Sequence, residues 1–243
     1  MRQTIIETLG ALAKNDFVRA AWLAGSDATG RTDGRSDIDL MVIVADGRVE
    51  DAFVAVRGML AIGLEYRLPA PTWHGADQAF FHIEGAPDWL MIDLVVLEKS
   101  KPHAWLEIER HGRAQILFDK DGLVREEHVD RAAIDRTIRE NVERLRKRFQ
   151  LFHHLPPKLV GRGLAIDAVH FYHALVLRPL VDMLRAVHCP DRHDFGFRYV
   201  KDDLPKEQYD ILEELSYPRP GDIVPFTERA KILFEHYSAI LSQ

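Results

Sequence analysis

The chain has 243 residues and a mass of 27.9 kDa, with 47% apolar and 29% charged residues, and 32 basic against 38 acidic side chains give a net charge of −6 and a pI near 6.1. That length admits one large domain or two small ones at ~100–200 residues each, and the acidic balance argues against a broad nucleic-acid surface. A single cysteine, Cys189, excludes a disulfide framework and a multi-cysteine zinc site, and the apolar runs fall short of the ~20 residues that span a bilayer. The stretch Met1-Arg2-Gln3-Thr4 has no charged-then-apolar leader pattern, so the expectation is a membrane-free protein in the reducing cytoplasm.

Ile5, Leu9, Leu12 and Ala13 recur at helical spacing and predict a helix over 3–14. An apolar strand over 18–24 stops at Gly25, and 26–36 is polar and glycine-rich with no apolar period. Ile38–Val44, β-branched and apolar around Asp39, predicts a second strand. Residues 49–62 place Val49, Phe53, Val56 and Leu60 on one helical face. Residues 80–83 and 89–97 flank a turn at 84–88 and read as a hairpin, 103–111 as a short helix, and 114–118 as a short strand.

Beyond residue 125 the strand signal ends. A long amphipathic helix is predicted over 128–152, ended by Pro156-Pro157. A more apolar helix follows over 163–187 with a kink at Pro179. Residues 188–203 read as irregular, and shorter helices close the chain at about 205–215 and 225–241. The reading is α+β: an N-terminal domain over 1–124 and a helical bundle domain over 125–243. Residues 1–129 carry 14 basic and 21 acidic side chains, net −7, and 130–243 carry 18 and 17, net +1, so the carboxylate excess lies entirely in the first half.

The segment that carries chemistry runs from Trp22 to Leu40. Gly25-Ser26 at the end of a strand offers backbone N–H groups and a hydroxyl at a turn, the makings of a phosphate cradle. Asp37 and Asp39, two apart on a strand, point to one face. Adjacent carboxylates repel unless a cation sits between them, and hard oxygen donors favour Mg²⁺ or Mn²⁺. Asp93 lies within the apolar run Met91-Ile92-Asp93-Leu94-Val95, where a charge without a partner is costly. If that strand lies beside Ile38–Val44, three carboxylates gather around one or two ions, the arrangement that serves in-line phosphoryl or nucleotidyl transfer.

Gly25-Ser26, ten residues, then Asp37-Ile38-Asp39 resembles the signature of the polymerase-β-like nucleotidyltransferase superfamily, with Ala28, Gly30, Ser36 and Leu40 extending the match. Within it, size and layout are similar to the bacterial enzymes that adenylylate small molecules, antibiotics among them. The resemblance implies a short mixed sheet backed by helices, then a helical domain. It implies Asp37, Asp39 and Asp93 as metal ligands for two Mg²⁺ ions, with Asp93 nearest the acceptor and the candidate general base. Glu84 and Glu98 stand behind Asp93 for that role. Gly25 and Ser26, with Ser36 and Arg35, would hold the nucleotide, with ATP as the donor and a small-molecule hydroxyl as the acceptor. Two other readings stay open: a protein-modifying, antitoxin-like AMPylator, and a non-catalytic nucleotide sensor. The sequence does not choose between a monomer and a homodimer. Asp27 and Asp33 read as solvated loop charges, and His170, Tyr172, His173 and Arg198 as lining residues of an acceptor pocket.

Overall fold

The computed structural model describes residues 1–70, 72, 75–101 and 106–242. In its first half six strands form one sheet: β1 (Val18–Leu23), β2 (Ile38–Val44), β3 (Ile62–Arg67), β4 (Asp77–Ile83), β5 (Met91–Glu98) and β6 (Gln115–Asp119), in the order β3-β4-β5-β2-β1-β6. β2 and β5 run parallel and the other pairs antiparallel, so the sheet is mixed. Four helices accompany it: α1 (Arg2–Gly10), α2 (Gly25–Thr29), α3 (Val49–Met59) and α4 (Ile108–His111).

Side chains alternate across each strand, so the sheet divides its residues between two faces. One face takes Ile38, Leu40 and Val42 of β2 with Ile92, Leu94 and Val96 of β5, in a core shared with Leu9, Leu12, Phe53 and Val56. Phe53 is wholly buried there, and truncating such a residue to alanine costs ~3–5 kcal/mol. The other face takes Asp39, Met41 and Ile43, and Asp93, Val95 and Leu97. Met41, Ile43, Val95 and Leu97 join Trp22, Ala76 and Leu106 in a smaller apolar cluster. Asp39 and Asp93 lie on this face at the N-terminal end of the parallel pair.

The strand at 38–44 has the predicted bounds. β3 and α2 depart from the sequence reading: β3 begins at Ile62, where the apolar period predicts the end of a helix, and α2 occupies part of 26–36, where no regular structure is predicted. The predicted helix over 103–111 is the single turn α4, and its residues 103–105 lie outside the described residues.

The chain divides into two compact units, Met1–Val129 and Asp130–Gln243. The second is helical: α5 (Arg131–Phe152), α6 (Leu155–Gly161), α7 (Ala165–Tyr172), α8 (Arg178–His188), α9 (Val200–Asp203), α10 (Lys206–Leu215) and α11 (Ile223–Ile240). Asp130 starts α5 by accepting a hydrogen bond from Ala133 N at 3.0 Å, which satisfies one of the orphan amides of the first turn. α5 ends at Phe152, the predicted bound, and Pro156 and Pro157 just beyond it sit in the first turn of α6, where a missing N–H is no loss. Pro179 likewise lies in the first turn of α8, and the helix ahead of it widens into a π-type turn over His173–Leu177, a known way to absorb an interrupted hydrogen-bond ladder.

The 188–203 segment is held by Arg185, whose guanidinium is fully buried. It donates to the carbonyls of Gly196 (2.5 Å), Arg192 (3.2 Å) and Arg198 and pairs with Asp203 at 2.9 Å. Buried charge is tolerated when paired and hydrogen-bonded in this way. Tyr172, expected as a lining residue, is a core residue: it is fully buried and its hydroxyl donates to Leu215 O at 3.0 Å. His173 is half-buried and its basicity is lowered by burial and by His170, while His170 and Arg198 are exposed. Among the described residues, no helix is long and apolar enough to cross a membrane.

Candidate active site

β1 ends at Leu23, and the chain turns at Gly25 directly into α2. Ala24 N still pairs with Asp39 O at 2.9 Å, which ties the turn to β2. Gly25 has φ +53, and a Cβ built on it would lie 1.8 Å from Asp39 Oδ2. The position therefore requires glycine twice over, for its left-handed backbone and for the carboxylate against it. Ala28 N donates to Ala24 O at 3.2 Å, so the amides of Gly25, Ser26 and Asp27 precede the first intrahelical bond and have no carbonyl to meet within α2. The Ser26 hydroxyl is buried and has no hydrogen-bond partner.

Asp39 and Asp93 occupy the same register step of the parallel pair β2–β5. Directly opposite residues share a face, so the two carboxylates flank one another on the side of the sheet away from α1 and α3. Burial, and after it the charges of Asp37, Asp93 and Asp27, lift the Asp39 carboxyl to about 7, with Arg2 opposing. Asp93 accepts a hydrogen bond from Gln78 Nε2 at 2.6 Å. Asp37 lies just ahead of β2, and its carbonyl accepts from Arg2 Nε at 3.1 Å and Nη2 at 2.9 Å.

Arg2 and Asp27, whose charges act on Asp39, are residues that sequence reasoning misses. Asp27 is not a solvated loop charge: it is buried and ion-paired with Arg2. Arg2 thereby clamps α2 to the segment that delivers Asp37, since its guanidinium also reaches Ser36 O at 3.2 Å. The motif pattern carries no signal for this, because a lone arginine on a helix reads as solvated. Gln78 is missed too; only the strand register places it beside Asp93. Asp33 is exposed as expected, accepting from Arg35 N at 2.8 Å and Ser36 Oγ at 3.2 Å, so the Ser36 hydroxyl serves the loop itself and Arg35 is exposed on the same turn.

Of the other carboxylates considered for the base, Glu98 is at the opposite end of β5, accepting from Gly47 N at 2.8 Å and paired with Lys101 at 2.7 Å. Glu98 is thereby held at the end of β5 away from Asp93. Glu84 is exposed in the turn after β4.

Among the described residues, no group of three His, Cys, Asp or Glu side chains is arranged to hold a metal ion as it stands. The chemistry of the donors nevertheless fits a hard divalent cation: all are carboxylate oxygens, and Asp39 is destabilised as an anion by burial first and then by its acidic neighbours.

No family model matches the chain. No curated protein matches it in sequence. Among solved structures, it is similar to a spectinomycin adenyltransferase from Enterococcus faecialis, determined with ATP and spectinomycin, at 11% identity over 100% of both chains and a TM-score of 0.37. It is also similar to a nucleotidyltransferase-like protein from Exiguobacterium sibiricum, at 16% identity over 98% of this chain and 74% of that one, TM-score 0.33. A third is a STING-associated c-di-GMP synthase from Capnocytophaga granulosa, at 13% identity over 98% and 81%, TM-score 0.33.

Proposed function

We propose that this protein is a Mg²⁺-dependent nucleotidyltransferase that moves a nucleoside monophosphate, AMP from ATP, to the hydroxyl of a small molecule. The observation that carries the reading is the facing pair Asp39 and Asp93 on parallel strands, with Gly25 packed against Asp39. A carboxyl held near 7 by burial and like charges is an incomplete site, and a divalent cation completes it. Asp37, Asp39 and Asp93 would hold two Mg²⁺ ions, or Mn²⁺, as metal ligands. When bound, such ions neutralise the triphosphate and lower the proton affinity of an acceptor hydroxyl.

The chain's own groups account for the rest. The first-turn amides of α2, which have no carbonyl to meet within that helix, and the unpartnered Ser26 hydroxyl meet the terminal phosphates of the nucleotide. Arg35, exposed on the loop before β2, is available to the same phosphates, and Ser36 holds that loop. Asp93 takes the proton of the acceptor hydroxyl. The acceptor oxygen then bonds to the α-phosphorus, the bond from that phosphorus to the bridging oxygen breaks, and pyrophosphate leaves. Gln78 positions Asp93 by donating to its carboxylate at 2.6 Å.

The test is transfer of label from ATP carrying radioactive phosphorus at the α position, with Mg²⁺ and a panel of small alcohols. The reading expects label on the acceptor, equimolar pyrophosphate, and loss of both in Asp93→Asn. Transfer that persists in Asp93→Asn contradicts the role given to that residue.

A further inference from the structure

Asp93 has neighbours that the transfer reading leaves unused. β4 places Phe80 opposite Asp93 and His82 opposite Met91, and β3 places Tyr66 opposite Phe80 and Leu64 opposite His82. Ala79, Phe81 and Ile83 of β4 turn to the core, so Phe80 and His82 stand on the face that carries Asp93. The Tyr66 and Phe80 rings stack with centroids 6.4 Å apart and planes 20° from parallel. A groove of about 390 Å³ passes Leu64, Tyr66, Phe80, His82, Asp88 and Met91, within the ~300–1,000 Å³ usual for small-molecule sites.

Three features distinguish this groove from ordinary scattered surface apolarity. Leu64 and Tyr66 are 68% and 58% exposed, side by side on one strand face. His82 Nε2 is buried with no hydrogen-bond partner. Among the described lining residues there is no lysine or arginine, and Asp88 contributes a negative charge, so an anionic occupant is disfavoured.

The geometry points to an acceptor subsite: the groove takes the flat face of a hydroxyl-bearing ring compound, uncharged or cationic, stacked on Tyr66 and Phe80. Its hydroxyl is directed past Phe80 toward Asp93, which stands opposite Phe80 on the neighbouring strand, and a polar group of the same molecule meets His82. Asp93 accepts the hydroxyl proton, the freed oxygen bonds to the α-phosphorus of the nucleotide, and pyrophosphate departs. The ring compound's role as acceptor rests on the transfer reading; the groove's affinity for a ring does not.

The experiment uses the full chain without nucleotide and titrates three probes by calorimetry and saturation-transfer NMR: phenyl β-D-glucoside, glucose and glucose 6-phosphate. The expected result is saturable binding of the phenyl glucoside at least tenfold tighter than glucose, with glucose 6-phosphate weakest. Tyr66→Ser, at an exposed position, and Phe80→Ala should each weaken the phenyl glucoside about tenfold. No saturable binding of the phenyl glucoside, unchanged affinity in folded Tyr66→Ser, or preference for glucose 6-phosphate overturns the assignment. A parallel titration with a non-hydrolysable ATP analogue and Mg²⁺ separates the two claims. Ring binding without nucleotide binding defeats the transfer reading and leaves the groove; nucleotide binding without ring binding does the reverse.

Discussion

Asp39 and Asp93 stand at one register step of the parallel pair β2–β5, and Asp39, enclosed by carboxylates and packed against Gly25, holds its proton up to about pH 7. This pair links the fold to the proposed chemistry, and its energetics can be measured without knowing any substrate.

In metal-free protein, Asp39 should make stability fall as pH rises. Its carboxyl is raised from 3.8 to about 7 in the fold, so between those values the folded state binds more protons than the unfolded one and loses stability with each step up in pH. Below pH 4 the contribution vanishes. Asp39→Asn, neutral throughout, should therefore be more stable than the parent at pH 8, by up to about 4 kcal/mol, and nearly equal to it near pH 3. Denaturant melts at both values check the sign. Mg²⁺ should raise the parent's stability at pH 8 and leave Asp39→Asn nearly unmoved.

Ser26→Ala removes a hydroxyl that has no partner in the fold, so stability should change by less than ~0.5 kcal/mol. If that hydroxyl meets phosphate, the loss is a hydrogen bond to a charged group, ~1.5–3 kcal/mol, or about a tenfold to hundredfold rise in the nucleotide dissociation constant. Calorimetry with an ATP analogue reads it directly.

Gly25→Ala should be severe. The new Cβ would meet Asp39 Oδ2 at 1.8 Å on a backbone of φ +53, and a loss of on the order of 2 kcal/mol or more follows from strain and displacement together. Adding Asp39→Gly should recover part of that loss, because the clash partner is gone while the strain of φ remains. Thermal melts of the two singles and the double close the cycle.

Much of this is legible in the sequence. The strand at 38–44 announces itself by β-branched residues around Asp39, while Asp37, which the two-residue spacing puts on the same strand face, lies one residue ahead of the strand. What is not legible has physical reasons. β3 is an edge strand of Ile62-Gly63-Leu64-Glu65-Tyr66-Arg67 with no fully buried residue, so its apolar signal is weak, and it follows α3 closely enough to read as the tail of that helix. α2 is five residues long and polar, too short for a helical period. Asp27 reads as a loop charge because its partner Arg2 lies 25 residues away. The aromatic face of β3 and β4 exists only once the register sets Tyr66, Phe80 and Asp93 in a row.

Asp93→Asn keeps the shape of the side chain and an acceptor oxygen for Gln78, whose Nε2 donates to Asp93 at 2.6 Å. Nucleotide binding should persist, since Gly25, Ser26, Asp37 and Asp39 remain, while the transfer step slows by roughly 10²–10⁴-fold, as for loss of a positioned base. Single-turnover transfer alongside a denaturant melt distinguishes this from a structural role, in which stability falls and the rate per folded molecule is unchanged.

The most direct test of the central claim is calorimetric titration of a non-hydrolysable ATP analogue into the full chain with and without Mg²⁺. The account predicts saturable one-to-one binding that requires Mg²⁺ and that falls at least tenfold in Asp37→Asn and in Asp39→Asn, with both variants folded. Binding that ignores Mg²⁺, or that is unchanged in both variants, would contradict it.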